Sequence, residues 1–566
     1  MKVLATGIAL VLGIGAASAA GNMPDMPGMA MPMTPPGPAV YMGESEKPGA
    51  PVFANLGKHT HKISTRNAQT QKYFDQGVNL LFGFNHAEAI RSFREAARLD
   101  PHCAMCWWGV AFAYGSNINL PMQPDAIKPA WDALQKAQTL KRYASKEERD
   151  WIDALSARYS SSADADRARL DQAFARAMGE VSRKHPNDLD ASVFYAEAMM
   201  DTQPWDYWQA DAVTPKGHGA EIVSTLESVI KQSPNHPGAL HLYIHAVEAS
   251  TTPERAEAAA DRLATLMPDA GHIVHMPSHI YYRVGRYRDA YHANELAALV
   301  DEQYIAACKA QGYYPLGYYG HNIHFLWTSA EMEGRYQAAL DASRRLLKAT
   351  EVEKVAAQIP QGQLFIFTPI ATYLRFGKWN EILAEPIPSP DLKLDTAMAL
   401  LARGFAYANT GDIANAKEAR NKIDELRKAG MPELEAVTIP GTQMAEVALY
   451  ELDGEIARKS GDLESAIANF RKAQVAELNL PYTEPAYWHQ PVSHLLGAAL
   501  LDAGKPAEAE EVYRKSLMRY RRDGWALYGL VLALKAQGRT DEAAQAQKEF
   551  DSAWQFADVK LTSSRF

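Results

Sequence analysis

Tyr73 and Gly77, followed by Ala87-Glu88-Ala89-Ile90-Arg91-Ser92-Phe93-Arg94-Glu95-Ala96-Ala97-Arg98-Leu99-Asp100-Pro101, form the stretch whose reading decides the fold. Ala89, Phe93 and Ala96 are three and four residues apart, so on a helix they share one face. Gly77 lies upstream on a helix of its own, where a small residue lets the two helices of a hairpin approach closely. The same marks at the same spacing return as Gly454, Ala466, Phe470 and Ala473, and again as Gly497, Ala509 and Tyr513. Such a hairpin of two helices buries its apolar face only against its neighbours, so the pattern predicts an array.

On these residues the chain resembles the tetratricopeptide repeat family over most of its length. Weaker copies centre on Ala256, Ala290, Ala339 and Ala416, with Pro268 closing the first, and turn glycines stand at Gly285, Gly334, Gly377, Gly411, Gly461, Gly504 and Gly538. The resemblance implies an all-α fold, a right-handed superhelix of antiparallel helix pairs whose first helices line a concave surface. Three aromatic or proline-rich interruptions stand out: Trp205-Asp206-Tyr207-Trp208, extended to about Gly219; Gly312 to Gly320, with Tyr313, Tyr314, Tyr318 and Tyr319; and Pro386 to Pro390. Asn117-Ile118-Asn119-Leu120-Pro121-Met122 is a fourth irregular piece. Long loops inside a compact array are more often functional than decorative.

Seven of the chain's 17 histidines crowd into one window: His241, His245, His272, His275, His279, His321 and His324. Placed on the repeat register, His241, His245 and Glu248 take positions 5, 9 and 12 of one first helix; His272, His275 and His279 take 2, 5 and 9 of the next; His321, His324 and Glu331 take 2, 5 and 12 of the third. The resemblance makes these inward-facing positions. Pro277 either bends a continuous helix or begins a new one. One histidine on an apolar face is ordinarily a satisfied core residue, but seven together leave many ring nitrogens needing partners. Imidazoles in that number suit copper, zinc, iron or nickel. The expected metal ligands are therefore His241, His245, Glu248, His272, His275, His279, His321 and His324, with Glu248 and Glu331 as candidate general bases. Arg283 offers a fixed charge to an anionic substrate, and Trp205, Tyr207, Tyr314, Asn117 and Asn119 are candidate lining for a small molecule.

The net charge of -9 and pI near 6.0 argue against a protein that coats nucleic acid. Residues 1–19 read as a signal peptide ending Ala17-Ser18-Ala19, which predicts export to the periplasm or outside the cell, and no later segment has membrane-spanning length. Residues 20–66 read as a flexible leader rich in methionine and proline, whose thioethers suit Cu(I); His59 and His61 close it. A first repeat block spans 67–348, a connecting segment 349–394 and a second block 395–566, in which His489 and His494 are the only histidines. Cys103 and Cys106 read as lying in the first turn of a helix begun by Asp100-Pro101, as a disulfide, two thiols or a soft-metal site, while Cys308 is a lone thiol. Three functions fit: a metal centre acting by hydrolysis or oxidation on a small molecule, a copper-binding or buffering protein, and a scaffold that docks another protein's peptide tail.

Overall fold

Phe93 shows how the array closes. A Cβ on Gly77 would lie 2.5 Å from its ring and one on Gly109 would lie 2.6 Å away, so the ring fits only because both neighbouring helices lack a side chain there. Phe470 stands against Gly454 in the same way, at 2.6 Å, and Tyr513 against Gly497 and Gly529, at 2.3 and 2.2 Å. The periodic marks in the sequence are these inter-helix wedges.

The computed structural model describes residues 47–310, 314–354, 356 and 360–566, and its regular elements are helices, joined by two isolated bridges, Asn117 with Leu120 and Trp208 with Pro215. The chain is all-α, built from paired helices of tetratricopeptide type. Among the described residues no helix is long and apolar enough to cross a membrane. The expected signal peptide and the methionine-rich part of the leader lie outside the described residues, as do Gly312 and Tyr313.

Two compact units divide the chain. The first holds the residues up to Ile280 together with Leu296–Tyr319; the second holds Tyr281–Glu295 and Gly320–Phe566. The first unit begins with the helices Ala68–Phe82 and His86–Leu99, the former capped by the Asn67 side chain on the amides of Gln69 and Thr70. In the second, the pairs Lys393–Asn409 with Ile413–Ala429, Gly441–Lys459 with Leu463–Leu478, and Val492–Asp502 with Pro506–Arg519 repeat the same hairpin. The stretch 349–394, read from sequence as a connection, contains the helices Gln363–Ile366, Thr368–Arg375 and Trp379–Ala384.

Local expectations change in three places. Asp100 caps the end of His86–Leu99, and the next helix starts only at Ala104 with Cys103 as its N-cap, so Cys103 precedes the helix rather than lying in its first turn. Cys103 and Cys106 form a disulfide, and Cys308 is buried. At Pro277 the chain makes two short helices, Gly271–His275 and Pro277–Arg283, because proline has no N–H to continue the ladder. The expected long connection before His321 is wound into a π-turn at Tyr314–Tyr318 and leads directly into the helix Tyr319–Met332.

Candidate metal centre

The helix Pro237–Val247 is buried along its whole length. Pro237 occupies its first turn, and the ring of His236 accepts from the Ala239 amide as its cap. His241 and His245 are one turn apart on this helix, and Glu248 stands at its C-terminal cap. Close beside it, Gly271–His275 brings His272 and His275, and Pro277–Arg283 brings His279. All six side chains are buried.

Partners on one nitrogen of a ring set the role of the other. His241 Nδ1 donates to the Phe82 carbonyl at 2.7 Å. His245 Nδ1 and His279 Nδ1 donate to the two oxygens of Glu248, at 2.8 and 2.5 Å. Each of these rings therefore turns the lone pair of its Nε2 away from its anchor. His241 Nε2 lies 3.2 Å from His272 Nε2, and His275 Nε2 lies 2.7 Å from His279 Nε2. One nitrogen from each of His241, His245 and His272 falls within 4.8 Å of the other two. Two nitrogens bound at about 2.0–2.1 Å to one tetrahedral ion stand about 3.3 Å apart, so the spacing of His241 and His272 suits a shared cation. Burial, with the charge of His245 added, holds His241 well below the ordinary imidazole value against the pull of the Phe82 carbonyl. It is kept neutral, the form that ligates metal.

Aromatic rings wall this trio. Phe84 has its centroid 4.6 Å from His241, 5.2 Å from His272 and 6.3 Å from His245. Tyr318 meets His272 edge-on at 4.8 Å, and Trp205 meets His245 edge-on at 4.9 Å. Phe84 and Trp205 both adopt left-handed backbone, φ 56° and 65°. That conformation costs a bulky residue on the order of 1–3 kcal/mol and gathers at functional sites.

The other candidates in the first unit support the wall. Trp205 Nε1 donates to the Ile118 carbonyl at 2.9 Å. Asn117 Oδ1 accepts from the amides of Asn119 and Leu120, closing that irregular segment, and Asn119 Nδ2 reaches Tyr318 Oη at 3.4 Å. Tyr207 is buried, which pushes its phenol up. Tyr314 Oη donates to Asp301 Oδ1 at 2.7 Å. Phe84 and His86 carry no mark in the sequence, and Tyr318 is marked there only as part of the aromatic interruption from Gly312 to Gly320. His86 Nδ1 meets the Phe84 carbonyl at 3.0 Å, and burial, with the Arg158 charge, pulls its ring down to about 4 against that bond. His86 and Phe84 sit just past the Gly77 repeat mark, but nothing in that spacing announces a left-handed aromatic residue.

His321, His324, Glu331 and Arg283 belong to the second unit. His321 meets Phe325 edge-on, His324 stacks flat on Trp327 at 5.2 Å, and burial brings the His324 ring down to about 3. The guanidinium of Arg283 sits 5.6 Å from the Tyr482 ring. Glu331 is fully buried; burial pushes its carboxyl up to about 8, against the opposing Arg375 charge and the Thr372 hydroxyl. At neutral pH it is therefore mostly a protonated acid and a poor general base. With the folded value above the unfolded 4.5, the stability it contributes is complete below pH 4.5 and is lost as pH rises towards 8. Glu331→Gln should flatten that fall, measured as a smaller drop in the thermal midpoint between pH 5 and pH 9 than the native protein shows.

No protein-family model and no curated protein sequence matches the chain. Among solved structures it is similar to the human IFIT1 dimer with m7Gppp-AAAA, at 14% identity over 88% of this chain and 91% of that one, with a TM-score of 0.31. It is also similar to the tetratricopeptide repeat domain of P58(IPK), at 14% identity over 84% of this chain and 100% of that one, with a TM-score of 0.22.

Proposed function

We propose that this repeat protein is exported and binds a transition-metal ion in its first unit, with the Nε2 atoms of His241, His245 and His272 as ligands, and that the ion serves chemistry on a small molecule. The observation that carries the reading is the set of anchors. A backbone carbonyl and a single carboxylate fix the Nδ1 sides of His241, His245 and His279, as outer partners of metal-bound imidazoles do. Three protein nitrogens leave a tetrahedral ion one open position, the arrangement of catalytic rather than structural zinc. The Phe84, Trp205 and Tyr318 rings wall the trio with apolar surface, and an ion held by it would supply Lewis-acid chemistry there. Zinc, copper and iron all accept this ligand set. In this reading Glu248 orients imidazoles instead of binding metal, and His275 extends the chain through His279.

Cobalt(II) tests it. Titrated into chelator-treated full-length protein, it should develop the intense visible bands of a tetrahedral nitrogen site, and zinc should bleach them. Absence of any such spectrum would remove the reading and leave a docking scaffold. Glu248→Gln keeps one acceptor oxygen but presents an amide N–H₂ to the second ring, forcing a tautomer change. Affinity for cobalt should fall about 10- to 100-fold.

A further inference from the structure

A second group of imidazoles lies at the other end of the same helix, where the leader joins the first unit. His236, whose ring caps Pro237–Val247, sends Nε2 to Asp190 Oδ1 at 2.9 Å. The same carboxylate meets His59 Nε2 at 3.0 Å through Oδ1 and His61 Nδ1 at 2.7 Å through Oδ2. Asp188 completes the group: one ligand atom from each of His61, Asp188 and Asp190 falls within 4.8 Å of the others, as does one from each of His59, Asp190 and His236.

The three rings are not equivalent. Because His236 Nδ1 accepts from the Ala239 amide at 3.3 Å, its proton is on Nε2, and it can only donate to Asp190. It is an orienting partner of the carboxylate and not a ligand. His59 and His61 have no such restriction, and their backbone is held in place. Asn79 Nδ2 donates to the His59 carbonyl at 3.0 Å, and Asp75 Oδ1 accepts from the His61 amide at 3.0 Å. The His59 and His61 side chains are 16% and 13% exposed while that of Asp190 is 5% exposed, so the group has a mouth on the ring side and a buried floor.

We propose that His61 Nδ1 and one oxygen each of Asp188 and Asp190 form a second divalent-cation site, with His59 Nε2 and His236 Nε2 as orienting partners of the Asp190 carboxylate. Two carboxylates cancel the charge of one divalent ion, and a mixed imidazole and carboxylate set without sulfur suits zinc, cobalt, nickel or manganese and disfavours Cu(I). The site also touches the first centre through Phe82. The Phe82 ring packs at 5.5 Å from both His59 and His236, and its carbonyl anchors His241. An ion here would clasp the 47–61 leader to the helix that carries His241 and His245.

Calorimetric titration of the metal-free full chain with zinc chloride tests it. Two classes of site are expected in the native protein. Asp190→Asn should lose one equivalent, and His59→Ala should weaken the same class at least about tenfold, while both keep the class that His241 and His272 supply. Zinc should also protect residues 47–66 from limited proteolysis in the native chain and not in His59→Ala. That partly exposed substitution carries the test if Asp190→Asn fails to fold. Unchanged stoichiometry, affinity and protection in His59→Ala would overturn the second site whatever the first one does. Loss of zinc only in the Asp190 and His59 variants, with none on replacing His241 and His272, would uphold it and sink the first.

Discussion

Replacing His241 and His272 together by alanine removes the high-affinity ion of the first unit outright, a loss of at least about 100-fold, beyond what deletion of an outer partner produces. The two Nε2 atoms stand 3.2 Å apart, the separation that ligands of one ion require, and only His245 of the trio remains once both are gone. Both rings are buried in apolar company, so the truncation also leaves a cavity, and the fold must be checked by circular dichroism before the metal is measured. Elemental analysis of the protein after exhaustive dialysis gives the readout. If the variant is folded and still carries its full complement of ion, the three-imidazole site is wrong.

Arg158→Met should lower the stability of the first unit by about 3–5 kcal/mol, the cost of stranding a buried charge. Arg158 is fully buried between Phe112 and Phe174, with its guanidinium 4.8 Å from each ring. Its Nη2 donates to Asp201 Oδ2 at 2.7 Å and to the Ser116 carbonyl at 2.6 Å. Glu197 lies close enough to feel its charge; burial pushes that carboxyl up to about 7 against Arg158. Without the cation, Asp201 keeps only the weaker pull of Arg167 in an interior whose burial already pushes its carboxyl well up. Adding Asp201→Asn to Arg158→Met should recover much of the loss, because an amide is far cheaper to bury than an unpaired carboxylate. Denaturant midpoints of the single and double variants decide between charge and packing. The bond to Ser116 also steadies the 117–120 segment that holds Trp205 beside His245, so the single variant should weaken metal binding as well.

The hairpins were legible because their marks are local. Gly77, Ala89 and Phe93 are near neighbours in the chain, and the physical need for a missing side chain beneath an aromatic ring writes itself into the spacing. The meeting of His241, His245, Glu248, His272, His275 and His279 could be anticipated from repeat register, since hairpins in sequence are hairpins in contact. What that register could not tell is which atoms face which. The division of Glu248 between two Nδ1 atoms depends on its place at a helix end, and the break at Pro277 sets the angle between His275 and His279. Phe84 and Trp205 are left-handed because of what packs around them, and no sequence pattern encodes that. The Asp190 group was hidden for another reason: His59 and His61 find their carboxylate more than a hundred residues away, across an unrelated helix pair.

Every imidazole around Glu248 is sealed from solvent. An ion held there meets water, a chelator or a substrate only when this part of the unit opens, so both its exchange and any chemistry at its open position are gated by that opening as well as by the strength of its bonds. Dissociation would then accelerate with mild denaturant well before unfolding, and the off-rate of the ion becomes a gauge of local opening in this part of the fold.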